Sequence, residues 1–546
     1  MSESNDAESD KLMSVDASAG ENKPGGLLKA TSVVSSMTLL SRISGLARDI
    51  SFAHWFGAGI VMDAFFVAFK IPNLLRRFFA EGAFSQAFVP VISEYRANSS
   101  PSETQELLNN VTGTLGLVVF GITAVGVVAA PLLIMVFAPG FLGGDGRYEV
   151  ATDMLRFTFP YLFFISMTAL AGGILNTYRR FAVPAFTPVL LNLVLIGFAA
   201  WVAPQMERPA MGLALGVFAA GAVQLLFQLP FLVRLKVLPR PRWGWAHKGV
   251  RRILKLMLPV MFGSSVAQIN LLFDTLIASF LAAGSISWLY YSDRLMEFPL
   301  GVCGIAVATV LLPHLSEHHA KASPEVFSAS LDWALRLVFL IAVPATLGLM
   351  LLAAPLLTTL FFGGEFTATD ITMATASLVA YSVGLLGFIF VKVLSTGYFS
   401  RQNTRAPVRI GVMALVLNMA LNIIFVVTLV RADYYAPHVG LALATSISAL
   451  FNAIFLYRGL RRDGVYEPRP GWGRFGVQVV VASSLMSGAV IWARGQAGDW
   501  LALSLLERTG ALALCVLGGM TIYVLACYLV GLTPASLRGQ RPRTRD

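Results

Sequence analysis

The chain has 546 residues, of which 56% are hydrophobic and 13% charged, and its mean hydropathy is +0.70. Soluble domains carry about 25% charged residues, so a soluble fold is excluded. A β-barrel is excluded too, because its strands alternate over roughly ten residues instead of running continuously apolar. The formal charge of +11 gathers in a few loops and is no nucleic-acid footprint, and the sequence holds no P-loop, dinucleotide fingerprint or His/Cys metal cluster.

The first 26 residues are polar and acid-rich, without an apolar segment ahead of a small-residue cleavage site. They are expected to be a disordered cytoplasmic lead-in, 1–26, and not a cleaved signal. Beyond them come apolar windows long enough to cross about 30 Å of hydrocarbon as helices. About fourteen are expected, near 28–56, 60–92, 105–137, 148–178, 183–204, 209–235, 252–283, 285–315, 325–360, 368–400, 405–430, 438–460, 474–494 and 509–533. They are numbered spans 1 to 14. Cys303, Cys515 and Cys527 all lie in apolar stretches without metal-type spacing and read as packing residues.

Span 1 contains "SRISGLARDIS", with Arg42, Arg48 and Asp49 where hydrocarbon is expected. Arg42 lies about 20 Å along a helix that begins near Leu28, too deep to reach headgroups comfortably. Span 2 contains "KIPNLLRRFFAEG": Pro72 bends the chain, Arg77 and Glu81 are four apart and read as a structural pair, and Arg76 is left over. In span 8, "YYSDRLMEFP" places Asp293 and Glu297 on one face, with Arg294 within reach of Glu297 at i, i+3. Arg179, Arg180, Arg401, Arg405 and Arg409 sit at helix ends as anchors, and Lys392 is assigned no role. A charge at the bilayer centre costs roughly 2.5–3.5 kcal/mol on insertion scales. Arg42, Arg48, Arg76 and Arg294 outnumber the acids available to them, so they are expected to face a wet cavity. Guanidinium forks match phosphate oxygens and stay protonated, so the expected ligand carries a phosphate or diphosphate. A nucleotide sugar, a polyprenyl diphosphate and a lipid-linked glycan all satisfy that chemistry.

Loop charge sets the orientation. "VRLKVLPRPRWGWAHKGVRR" holds Arg234, Lys236, Arg240, Arg242, Lys248, Arg251 and Arg252, and the tail after Pro534 holds Arg538, Arg541, Arg543 and Arg545. "YRGLRRDGVYEPRPGWGR" is basic as well, whereas "FGAGIV", "LAAGSIS" and "FGGEFTATD" have no Lys or Arg. The positive-inside rule puts both termini in the cytoplasm, with anionic headgroups the expected contact of the basic loops. The chain also repeats itself: "APLLIMVFAPGF" (130–141) is echoed at 354–366, "PYLFFISMTALAGGILNTY" (160–178) at 380–398, and "AFVPVISEY" (87–95) at 310–318. Six spans per repeat give two halves of the same orientation, as in transporters that rock about a central site. The fold expected is therefore all-α and polytopic: an N-terminal lobe over 27–240 (spans 1–6) and a C-terminal lobe over 241–465 (spans 7–12). Spans 13 and 14 over 466–533 form an appendix, and 534–546 a basic cytoplasmic tail.

"SRISGLARD", "MDAFFVAFKIPNLLRRFFAEGAFSQAFVPVISEY" and "WLYYSDRLMEFPLGV" resemble signature segments of the MurJ (MviN) family. These are lipid II flippases of the multidrug/oligosaccharidyl-lipid/polysaccharide exporter superfamily. The resemblance runs from Leu27 to the final span. It implies a bacterial inner-membrane protein that moves the undecaprenyl-diphosphate-linked disaccharide-pentapeptide precursor of peptidoglycan to the outer leaflet. Membrane lipids and other cell-wall synthesis proteins are the further partners it implies, with no nucleic acid. By the same resemblance, cavity arginines match Arg42, Arg48, Arg76 and Arg294, with Asp49 beside Arg48. Other cavity-lining positions match Ala53, Asn73, Ser287 and Glu297. Spans 13 and 14 match a groove for the lipid tail, with ordinary helix packing as the competing account of their small residues. A sodium site of some relatives resembles Asp274, Asn418, Asn422 and Thr445, against which stands a role as interhelical polar glue. No cofactor is expected to be required, and sodium or the membrane potential is the expected energy source. The rival readings are a polysaccharide-repeat flippase, a drug exporter and, from another class, a membrane enzyme acting on a polyprenyl diphosphate. A drug exporter would want an acidic or aromatic cavity. The enzyme would want an Asp-rich cluster or a histidine base, and the six histidines form no such constellation.

Overall fold

The computed structural model describes residues 24–77, 83–301, 315 and 324–533. The lead-in up to residue 23, Glu81, Cys303, nearly all of the repeat copy at 310–318 and the tail 534–546 lie outside the described residues. Among those described there is no strand, only an isolated bridge between Gly363 and Phe366. The helices are α1 (Pro24–Phe56), α2 (Ile60–Arg76), α3 (Ala83–Asn98), α4 (Pro101–Val128), α5 (Ala130–Phe137), α6 (Arg147–Thr158), α7 (Tyr161–Thr177), α8 (Ala182–Gly197) and α9 (Pro209–Arg234). They continue with α10 (Lys248–Ser279), α11 (Ser285–Pro299), α12 (Pro324–Leu351), α13 (Ala353–Phe361), α14 (Ala368–Phe399), α15 (Arg405–Arg431), α16 (Val439–Arg462), α17 (Trp472–Gln496) and α18 (Leu505–Leu529).

Among the described residues the expected spans fall on helix, and ten helical segments there are long and apolar enough to cross a membrane. α1, α2, α10 and α11 are not among the ten. These begin the two halves of the sequence repeat, and α1, α2 and α11 carry the internal charges discussed above. The repeat also reappears locally. α4 breaks at Ala129 before the short α5, and α12 breaks at Leu352 before the short α13. Where the first copy has Pro160, which offers no backbone N–H, the helix is interrupted between α6 and α7; the second copy has Ala380 there and α14 runs unbroken.

The chain divides into two compact units. The first gathers the described parts of Met1–Arg48, Ile71–Val128 and Arg156–Phe262. In it α7 packs against α3, α4, α8 and α9. Its core includes Phe88, Leu108, Tyr161, Ile174 and Val217, all essentially buried. The loop after α9 is fastened back onto α4: Arg242 N–H donates to Asn109 O at 3.0 Å, Gln105 Nε2 to Leu238 O at 3.1 Å, and Gly244 N–H to Thr114 Oγ1 at 3.1 Å.

The second unit gathers Asp49–Lys70, Ala129–Leu155 and the described parts of Gly263–Asp546. Its hub is α14, which packs against α11, α12, α13 and α16. A Cβ on Gly387 would lie 2.8 Å from the backbone N of Leu450, so glycine is what lets α14 and α16 approach this closely. Between α1 and α2 the chain turns at Gly57, with φ +65°; a Cβ there would stand 2.4 Å from Glu365 O. α17 and α18 pair with each other and lean on α12 and α13. Their outer faces remain apolar and exposed, with Val480, Leu485, Trp492, Leu514, Leu517 and Leu525 among them.

Candidate functional site

The first group lies in the second unit and is built on Arg294. The arginine is nine residues into α11, about 14 Å along the helix from its start. Arg294 Nε donates to Asp49 Oδ2 at 3.0 Å, Nη1 to Glu297 Oε2 at 3.1 Å and Nη2 to Tyr290 Oη at 3.3 Å. The Tyr290 hydroxyl donates to the other Asp49 oxygen at 3.0 Å, and its ring stacks on Phe66 with centroids 3.8 Å apart. Asp49 is completely buried, while the Arg294 side chain is 40% exposed. By sequence, Arg294 counts among the arginines in excess of the acids available to them. It is instead paired with two carboxylates, one of them 245 positions away in the chain, as the cost of an unpaired charge inside a membrane-spanning bundle requires. Three of the five guanidinium N–H groups have these partners. The other two have none among the described residues.

In the first unit, Arg48 is buried and its Nη1 donates to Asn192 Oδ1 at 3.2 Å. The Asn192 amide in turn donates to Ser44 Oγ at 2.9 Å and to Ser41 O at 3.1 Å. Arg76 Nε donates to Asn73 Oδ1 at 3.1 Å, one turn back on the same helix. Arg42 is exposed. The structure thus joins Asn73 with Arg76 in one unit and Asp49, Arg294 and Glu297 in the other. Ala53 and Ser287 are both fully buried.

What occupies Ser287 is a feature the sequence reading missed. Asp63 Oδ1 accepts from Ser287 N–H at 2.9 Å and from its hydroxyl at 2.6 Å, and Oδ2 accepts from Gly284 N–H at 2.8 Å. No side chain of its own N-cap residue caps α11. A carboxylate from α2 therefore caps the helix that carries Arg294, satisfying backbone donors that are otherwise orphaned. Buried Arg147 lies 3.7 Å from Asp63, is paired with Asp145 and donates to Leu281 O at 3.2 Å. A lone Asp in the apolar run "IVMDAFF" was the available signal.

The expected ion-site residues do come together. Asn422 Nδ2 donates to Asp274 Oδ1 at 2.6 Å and to Asn418 Oδ1 at 2.8 Å, and Asn418 Nδ2 donates to Thr445 Oγ1 at 3.2 Å. The buried Asn422 Oδ1 has no hydrogen-bond partner among the described residues.

A second missed cluster holds the α16–α17 loop. Asp332 and Arg336 are one turn apart and 1% and 3% exposed. Arg336 Nε donates to Asp332 Oδ2 at 2.8 Å, and Asp332 Oδ1 accepts from Tyr466 Oη at 2.8 Å, Trp472 Nε1 at 2.7 Å and Arg469 N–H at 3.2 Å. Arg336 Nη2 donates to the carbonyls of Arg469 and Pro470. "LDWALRL" showed the pair at i, i+4, but its partners lie more than 130 residues away.

The architecture is that of a multi-pass helical membrane protein with ion pairs inside its helical bundle. Its fold is like that of a multidrug resistance MATE family transporter of the MOP superfamily in an inward-facing conformation. That structure superposes with TM-score 0.63 at 15% identity, over 79% of this chain and 98% of the other, a likeness of fold alone. The family model for the lipid II flippase MurJ matches residues 52–509. A probable lipid II flippase MurJ of Vibrio cholerae serotype O1 is 48% identical over 519 residues, 94% of this chain and 98% of the relative. The lipid II flippase MurJ of Burkholderia cenocepacia is 40% identical over 518 residues, 94% and 99% of the two chains. A solved structure described as lipid II flippase MurJ in an inward closed conformation superposes with TM-score 0.73 at 27% identity, over 91% and 98% of the two chains. The chain belongs to the lipid II flippase MurJ family.

Proposed function

We propose that this chain moves lipid II from the cytoplasmic to the periplasmic leaflet of the bacterial inner membrane, with both termini in the cytoplasm. Family membership supports the substrate. The observation that carries the chemistry is Arg294, a guanidinium within α11 that is part exposed, oriented by buried Asp49 and with two N–H donors that have no partner among the described residues. Arg42, Arg48 and Arg76 belong to the first unit, and their role as further substrate contacts rests on the family resemblance alone. The polyprenyl tail lies along the exposed apolar faces of α17 and α18. Alternating access then presents the headgroup first to one side and then to the other. No bond is broken, so the work comes from outside the substrate. An anion leaving a negative interior moves down the membrane potential, worth about 2.3 kcal/mol per charge per 100 mV.

Sodium is a second energy source to which the residues are suited. The Asp274 carboxylate, the Thr445 hydroxyl and the Asn418 and Asn422 amide oxygens are hard donors, and Asn422 Oδ1, without a hydrogen-bond partner among the described residues, is a buried acceptor that a cation would satisfy. A half-turn of the two amides would aim oxygen where nitrogen now points. When bound, the ion would supply a positive charge between α10 and α15.

Depleting the protein and assaying which leaflet holds lipid II tests the reading. Inner-leaflet accumulation, relieved by the wild-type chain, is expected. Arg42→Ala and Arg294→Ala should reach the membrane in normal amount yet fail to support growth. Normal growth of either variant, or an unchanged leaflet distribution on depletion, would count against it.

A further inference from the structure

The first unit carries a second basic site that the transport reading leaves unused. A cleft of about 740 Å³ opens between the α3–α4 turn, the end of α7 and the loop after α9. Its charged lining consists of Arg96, Lys236, Arg240 and Arg242, and no carboxylate is among the lining residues. Ser102 and Thr104 add hydroxyls. The volume falls within the range of small-ligand pockets, roughly 300–1,000 Å³.

The cations are mounted on fixed backbone. Arg240 N–H donates to Asn109 Oδ1 at 2.6 Å and Arg242 N–H to Asn109 O at 3.0 Å, so their stretch is held against α4 by bonds that leave both side chains unused. The Arg96 guanidinium donates to Thr177 O and lies 4.3 Å over the Tyr178 ring. Three or more cations held close together without acids are costly in mutual repulsion, and a multiply charged anion relieves it. Guanidinium forks favour phosphate among such anions. Just beyond the cleft, Trp243 and Trp245 stack at 5.9 Å and are 59% and 47% exposed. Exposed tryptophans beside arginines mark the headgroup level of a membrane.

We propose that this cleft binds a phosphate-bearing anion, presented as the headgroup of an anionic phospholipid at the cytoplasmic face. A soluble phosphate is the other source of the same chemistry. Occupancy there would fix the α9–α10 loop against α4 independently of any substrate in the spans.

The test uses the full chain in detergent, with native mass spectrometry of retained phosphatidylglycerol, phosphatidylcholine or inorganic pyrophosphate, each offered alone. The triple variant Lys236→Gln/Arg240→Gln/Arg242→Gln keeps the backbone hydrogen bonds that hold the loop. The control, Arg458→Gln/Arg461→Gln/Arg462→Gln, removes the same charge from the C-terminal end of α16. Retention of phosphatidylglycerol over phosphatidylcholine, lost about a hundredfold at low salt in the first variant and little changed in the control, supports the lipid source. Retention of pyrophosphate with the same dependence, and no preference between the two lipids, supports the site with a soluble ligand. Equal loss in both variants, or no loss in the first, overturns the proposal.

Discussion

Removing the Asp332 carboxylate strikes a heavily bonded buried charge of the second unit. Asp332→Ala deletes the acceptor of four donors: Arg336 Nε, Tyr466 Oη, Trp472 Nε1 and the Arg469 N–H. Arg336 keeps its two carbonyl partners but loses its carboxylate. Breaking a buried ion pair costs about 3–5 kcal/mol, and each stranded neutral donor about 1–3 kcal/mol before water reaches it. Relaxation of the 463–471 loop admits some water, so about 4 kcal/mol is the expected loss. At 1.36 kcal/mol per decade, opening of α17 away from α12 becomes roughly a thousandfold more frequent. Cys527 reports it, because its thiol is buried with Ala482 and Ala526 between α17 and α18. Maleimide labelling of Cys527, with Cys303 and Cys515 changed to serine, should accelerate by that factor while reclosing outpaces labelling. Asp332→Asn keeps an acceptor for the neutral donors and should fall between. Asp332→Leu/Arg336→Met removes both charges and should recover at least about tenfold. If the alanine variant labels as slowly as the parent, or the double variant faster than the single, the clamp is not what holds these helices.

Two further outcomes follow from packing and from the ion site. Gly387→Ala forces a methyl to 2.8 Å from Leu450 N and should cost about 1–3 kcal/mol, read as earlier thermal unfolding; an unchanged transition would mean that α14 and α16 separate freely. Sodium should raise the thermal stability of the wild-type chain over potassium at equal ionic strength, and Asp274→Asn or Asn422→Leu should abolish that difference. A sodium effect that survives both substitutions would leave the cluster as interhelical glue.

The spans were legible because hydropathy is a local property, and the expected windows fall on helix wherever their residues are described. Breaks within them were less so. Pro160 marks the α6–α7 interruption, yet Pro230, Pro259 and Pro344 sit inside continuous helices, since a bundle re-satisfies the carbonyls a proline frees. Of the site, the Arg294–Glu297 pair could be read from i, i+3 spacing, but Asp49 as partner of Arg294 could not. Nothing local in "ARDIS" says which helix that carboxylate meets. The same holds for Asp63 under α11 and for Tyr466 and Trp472 on Asp332. Lone acids inside apolar runs announce a partner without naming it.

The double pairing of Arg294 bears on how a flippase lets go of its cargo. A bare arginine in a dry cavity would grip a diphosphate tightly and trap it. Here the two acids differ: Asp49 is fully buried and bonded through both oxygens, whereas Glu297 is 50% exposed and makes one contact to Nη1. If Arg294 holds the diphosphate as proposed, an arriving phosphate oxygen would displace Glu297 while Asp49 and Tyr290 hold the guanidinium in place. Binding would then exchange one anion for another, with little net desolvation, and release would return Glu297 to Nη1. Glu297→Gln weakens that competitor from an ion pair to a neutral hydrogen bond. An exposed pair is worth about 1 kcal/mol or less, so substrate retention by the purified protein should rise about three- to fivefold while growth support falls. Weaker retention in Glu297→Gln would show that the carboxylate serves the substrate directly and that no exchange takes place.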